Sequence, residues 1–166
     1  TPLPPNFNSV SGTIGGGSFS MNTDNATKAS SALTYTLSGA ASNLSGASGI
    51  TLGFQDMDPG AASSSVPVTI SIVTSTGTLT DTTTIAGNTN PFTQTFALSS
   101  FTGSGNLGHV NSIRITINGG ASSETAVDFA MDEVKIKTVP APPALVLAAI
   151  GFVGLIGRNR FLRKAA

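Results

Sequence analysis

Apolar and polar residues alternate with period two along most of this chain, and that pattern restricts it to β architecture. Side chains of a strand point alternately to opposite faces, so alternation marks strands with one buried face. Leu33-Thr-Tyr35-Thr-Leu37 alternates cleanly, and so does Ile50-Thr-Leu52-Gly-Phe54. Val66-Pro-Val68-Thr-Ile70-Ser-Ile72 is the longest run. Phe92, Phe96 and Leu98 share a face with Gln94 between them. Ile113-Arg-Ile115-Thr-Ile117 runs into the turn signal Asn118-Gly119-Gly120. In Val127-Asp-Phe129-Ala-Met131 the phase then flips to Val134 and Ile136, as one extra residue at Asp132-Glu133 would cause in a β-bulge. Thr13–Met21 and Thr78–Ile85 are weaker strand candidates. Pro67 places its strand at a sheet edge, or itself near the strand's start, because proline cannot donate to a ladder.

About eight short strands separated by Gly, Ser, Asn and Asp turns predict an all-β fold, an antiparallel jelly-roll-like sandwich of two sheets. No window repeats apolar residues at helical spacing, and the regular alternation argues against disorder. Asp56-Met-Asp58-Pro-Gly60 reads as the turn after a strand. Tyr35 falls at a core phase between Leu33 and Leu37. The expected organisation is an extended lead-in over 1–8, where three prolines interrupt any ladder, and a sandwich over 9–137. A Pro-rich linker over 138–143, a transmembrane helix over 144–162 and a basic end over 163–166 follow.

Charge is divided unevenly. The 166 residues sum to zero, but residues 1–137 hold Lys28, Arg114, Lys135 and Lys137 against all eight acids, a net of −4. A mildly acidic domain lacks the basic footprint that nucleic acid requires. There is no cysteine, so no disulfide braces the fold and thiols say nothing of the compartment.

Residues for catalysis are scarce. The single histidine, His109, lies in the loop Gly105-Asn-Leu-Gly-His-Val-Asn111 and reads as a solvated turn residue. Neither a G-x-S-x-G elbow nor the S-x-x-K signature is present. One histidine and no cysteine exclude zinc of the usual kind. Two carboxylates could serve a glycosidase, but neighbours on one exposed strand make a poor cleft. Asp128 and Asp132 share the polar face of the last strand, opposite Val127, Phe129 and Met131, and Asp24 could join them. Two readings stand: a structural calcium site of hard oxygen ligands, or acids on a solvated outer face. Carbohydrate-binding modules offer platforms of exposed aromatics, whereas this chain has no tryptophan and one tyrosine.

Beyond the sandwich, the twenty residues Thr138–Gly157 carry no charge, about the length that crosses a hydrocarbon core of roughly 30 Å. Arg158, Arg160, Arg163 and Lys164 follow, a cytoplasmic stop that places the sandwich outside. The chain begins at Thr1, and with this orientation a removed or omitted signal sequence is expected. Ala144, Ala148 and Gly151 lie on one helical face with Gly154 near it, a spacing of small residues that admits a partner transmembrane helix. Val139-Pro140-Ala141-Pro142, the Gly-containing apolar run and the arginine cluster resemble the tripartite tail of PEP-CTERM proteins. Ala141 stands where that family usually has Glu. Gly12-Thr-Ile-Gly-Gly-Gly17-Ser18 and Ala126–Ile136 resemble the first and last strands of jelly-roll ectodomains that precede such tails, which are similar in shape to carbohydrate-binding modules. The resemblance implies sorting motif residues Val139, Pro140, Pro142, Arg158 and Arg160, an exosortase-like processing enzyme, and a bacterial inner-membrane location with the sandwich periplasmic or extracellular.

The sequence therefore predicts a non-enzymatic, membrane-anchored extracytoplasmic sandwich, surface- or matrix-associated or adhesive, with the lipid bilayer as its first partner. One alternative is a single-helix accessory subunit of a larger, bioenergetic integral-membrane complex. A second is a carbohydrate-binding module.

Overall fold

A computed structural model describes residues 10–15, 18–23, 28–60, 64–119 and 126–138. They form ten strands: β1 (Val10–Gly15), β2 (Ser18–Thr23), β3 (Ser31–Thr36), β4 (Ala47–Asp58), β5 (Ser65–Thr74), β6 (Thr78–Ala86), β7 (Phe92–Ala97), β8 (Thr102–Gly103), β9 (Val110–Ile117) and β10 (Asp128–Thr138). Two short 3-10 turns, Gly39–Ser42 and Leu98–Ser100, interrupt them. The first sheet has the order β1-β2-β10-β4-β7 and the second β3-β9-β5-β6-β8. Every named pairing is antiparallel. This is the expected two-sheet sandwich with jelly-roll-like crossovers.

The alternating residues supply the core. Ile50, Leu52, Phe54 and Met57 of β4 meet Val66, Val68, Ile70 and Ile72 of β5, all at most 1% exposed. Ile113, Ile115 and Ile117 of β9 and Phe129 and Met131 of β10 complete the layer. Burial of each such side chain contributes about 1.5–3 kcal/mol, and this is what holds the two faces together without a disulfide. The Phe54 and Phe92 rings stack at 5.2 Å, and Phe19 meets Phe129 edge-on at 5.5 Å.

Several expectations are corrected. The candidate strand Thr13–Met21 is two strands, β1 and β2, whose antiparallel register pairs Gly15 with Ser18. Asp56 is not a turn residue, because β4 continues through it to Asp58. The turn begins at Asp58, the last residue of β4, whose carboxylate accepts the Gly60 N–H at 2.9 Å, as expected of Asp before Pro-Gly. Pro67 lies in an interior strand and not at an edge, but near the strand's start, as the other reading had it: it is the third residue of β5, one before the pairing with β9 begins at Val68. Tyr35 has the inward phase but is 39% exposed, because β3 is an edge strand and its ring reaches the rim of the sandwich.

Asn118 turns the chain after β9. Its φ of 57° is left-handed, which asparagine tolerates better than most residues. Its side chain is fully buried and donates to the Ala29 carbonyl at 2.7 Å. Among the described residues no helix is long and apolar enough to cross a membrane. The span expected over 144–162 lies outside the described residues.

Candidate functional site

The ladder between β4 and β10 is irregular at its middle. Met131 pairs with Phe54 and Glu133 with Gly53, which leaves Asp132 as an extra residue on β10. The bulge read from the phase flip is therefore present. A second irregularity lies beside it: Ala130 pairs with Asp56 and Met131 with Phe54, which leaves Gln55 extra on β4. The two extra residues are bonded to each other, with the Gln55 amide donating to the Asp132 carboxylate. Beyond them the register returns, with Val134 opposite Leu52.

Gly53 sits under this pair. A Cβ there would lie 2.9 Å from the Glu133 Cβ and 3.0 Å from Asp132 Oδ1. Glycine thus lets two bulged strands approach, a recurrent role for glycine inside a strand. The missing side chain leaves a hollow of about 250 Å³ on the β7 side, walled by Phe92, Thr93, Gln55, Asp132 and Glu133. On the β2 side of the same carboxylates lies a cleft of about 210 Å³, lined by Phe19, Leu33, Tyr35 and Val134. Burial pushes the Tyr35 phenol above its ordinary 10.0. Glu133 forms an ion pair with Lys135 two residues on.

The sequence-derived candidates are distributed as follows. Asp128 and Asp132 both face outward while Phe129 and Met131 are buried, as expected from the alternation. Asp128 is used structurally. Its Oδ1 accepts the Thr23 N–H at 2.7 Å and its Oδ2 the Asn22 amide at 3.4 Å, tying β2 to the start of β10. Thr23 returns a bond from its hydroxyl to the Val127 carbonyl at 3.0 Å. Among the described residues no three His, Cys, Asp or Glu side chains gather as a metal group. Asp24 lies outside the described residues, as do Val139, Pro140, Pro142, Ala144, Ala148, Gly151, Gly154, Arg158 and Arg160. His109 is exposed, and its loop is pinned through the backbone, by its N–H to the Asn106 carbonyl at 3.0 Å.

Gly53, Gln55 and Phe92 were not singled out by sequence reasoning. A signal existed for one of them: Phe54 and Met57 stand three apart with two polar residues between, and a strand with a regular face has no such step.

No protein-family model matches the chain, and no curated protein matches its sequence. Solved structures match its shape. The family 11 carbohydrate-binding module of the cellulosomal cellulase Lic26A-Cel5E of Clostridium thermocellum is 15% identical, with a TM-score of 0.53 over 81% of this chain and 84% of that one. The family 11 module from Clostridium thermocellum in complex with a β-1,3-1,4-mixed-linked tetrasaccharide is 14% identical, with a TM-score of 0.53 over 81% of this chain and 85% of that one. PfGH50B is 12% identical, with a TM-score of 0.51 over 80% of this chain but 22% of its own. At this identity the likeness is one of fold: the chain is a jelly-roll-like sandwich of the shape found in carbohydrate-binding modules.

Proposed function

We propose that this sandwich is a non-enzymatic glycan-contacting module, displayed outside the cytoplasmic membrane by its C-terminal segment. The observation that carries the reading is the hollow over Gly53. It puts one aromatic ring, Phe92, beside an amide, a hydroxyl and two carboxylates. A pyranose presents an apolar C–H face and a rim of hydroxyls. The ring of Phe92 suits the first, and Gln55, Thr93, Asp132 and Glu133 suit the second, because bonds to charged acceptors are the stronger ones. The solved relative in complex with a mixed-linked tetrasaccharide supports this reading by analogy of fold, which is weaker support than the site itself.

With a single ring and a few hydrogen bonds, one site is expected to bind weakly, near Kd values of about 1 mM, or roughly −4 kcal/mol. Many copies held at one surface would then engage a polymer by avidity. The uncharged run Thr138–Gly157 and its basic end support such display, and the resemblance of the tail to PEP-CTERM sorting signals supports an exported, surface- or matrix-associated protein.

Affinity electrophoresis in gels containing mixed-linkage β-glucan, xylan or a bacterial exopolysaccharide tests the binding. Retardation by at least one polymer is expected, and Phe92→Leu, which keeps apolar contact with Phe54, should lessen it. Unretarded wild-type protein in all gels, or a Phe92→Leu variant retarded like wild type, refutes the site. Intact mass of the mature protein tests the anchoring: a full-length mass is expected of a chain held by its C-terminal segment, and loss of everything after Pro142 refutes it.

A further inference from the structure

We infer that the second half of β10 is a dimerisation edge that pairs with the same strand of a second copy. This rests on a different observation from the glycan hollow. β2 pairs with β10 over Phe129–Met131 alone. From Asp132 to Thr138, β10 pairs on its other side with β4, and among the described residues nothing pairs with it on the β2 side. Among the described residues, seven in a row thus present an open ladder in the body of a sheet, and an open ladder is a template for another strand.

What surrounds this edge identifies the occupant. Among the described residues, the two exposed large apolar side chains are Tyr35 at 39% and Ile136 at 37%. Both border this gap: Tyr35 lines the cleft with Val134, and Ile136 is two residues further along the same strand face. A strand added here would cover both. Charge along the open stretch is complementary at two of three positions. Glu133 precedes Lys135 and Lys137, so an antiparallel copy centred on Lys135 sets each Glu133 opposite a Lys137, and these two pairs outnumber the one contact of Lys135 with its own copy, whose charge Glu133 of the same chain already pairs. That centre is the midpoint of the open stretch, and a two-fold interface must be complementary to itself. β10 ends at Thr138, and the sequence two residues on has Pro140, which has no N–H to donate to a ladder. The hollow beside Phe92 lies on the other side of β10 and stays open.

The chain has no cysteine, so single cysteines report the interface without background. The full chain in detergent micelles is oxidised mildly after Lys135→Cys or Thr138→Cys. Lys135→Cys should form a covalent dimer, since directly opposed residues lie within disulfide reach. Thr138→Cys should not, because its symmetry mate is about 20 Å away in this register. Glu133→Lys and Lys137→Glu should each raise the dimer dissociation constant by about tenfold, and the double exchange should restore it. Folding of each variant is checked by circular dichroism. Equal crosslinking at both positions, or no recovery in the double exchange, overturns the proposal. So does a monomeric wild type whose 133–137 amides resist hydrogen exchange, which would mean that the chain's own residues cover the edge.

Discussion

Replacing Asn118 tests the account of how β9 ends. Three demands meet at this residue: a left-handed backbone with φ of 57°, a side chain with no exposure, and an amide that donates to the Ala29 carbonyl at 2.7 Å. Its backbone N–H also donates to the Pro67 carbonyl at 2.8 Å, so the turn stitches β9 to the start of β5. Asn118→Ala removes the amide and leaves a carbonyl without its donor, a cost of about 1–3 kcal/mol. It also forces alanine into the left-handed region, which adds about 1 kcal/mol. Asn118→Gly suffers the first loss but not the second, so glycine should be the milder change by about 1 kcal/mol. For a domain of this size each kcal/mol shifts Tm by roughly 3–5 °C. Alanine should then melt roughly 10 °C below wild type, and glycine some degrees above alanine. Thermal melts followed by circular dichroism give the order. Alanine equal to or more stable than glycine would refute the backbone argument. Both within about 0.5 kcal/mol of wild type would refute the hydrogen-bond argument, since that is the scatter of neutral surface changes.

Gly53→Ala should destabilise the sandwich by about 1–3 kcal/mol, because the new Cβ meets the Glu133 Cβ at 2.9 Å and that atom is fixed to the backbone; a denaturation midpoint equal to wild type would contradict this packing. Tyr35 is the chain's one tyrosine, so tyrosinate absorbance reports a single group, and its midpoint should lie above 10.0 because burial favours the neutral phenol. An acid held above its unfolded value stabilises the fold fully below pH ~10, and that contribution disappears as pH rises through the folded value. Tyr35→Phe should therefore flatten the loss of stability at alkaline pH. Asp128→Ala should cost about 1–2 kcal/mol by leaving the Thr23 N–H unpaired, while Asp128→Asn, which keeps an acceptor, should cost less. A chelator should leave the wild-type melting curve unchanged; a drop of several degrees would instead support calcium at Asp24, Asp128 and Asp132.

Much of the sandwich was legible because burial leaves a period in the sequence. The runs in β4, β5, β9 and β10 alternate because each has one face on the core, and the bulge at Asp132 was legible because it breaks that period. The same logic explains the errors. Gly15-Gly-Gly17 carries no side chain to show a phase, so two strands of a hairpin read as one. Asp56 is a ladder residue that looks like turn chemistry only because it stands two residues before Asp58, where the turn does begin. Tyr35 has a core phase, but phase reports a face and not a distance from the sheet's edge. The hollow escaped notice because it depends on register between strands far apart in sequence. Gly53 and Glu133 become neighbours only through pairing of β4 with β10. The open half of β10 is a matter of how far β2 extends, which no local pattern records.

One strand also acts as an electrical compass. Along its 11 residues β10 presents Asp128, Asp132 and Glu133 first and Lys135 and Lys137 last, over a length of about 36 Å. The acids Asp56 and Asp58 pair beside its beginning and add to the negative pole. The chain leaves from the positive pole. If an anionic surface holds the chain there, it attracts the near end and repels the far end, and at physiological salt this acts within about 8 Å of the headgroups. The sandwich would then stand upright on its tether, its acidic end outermost, with its orientation set by the order of charges along a single strand.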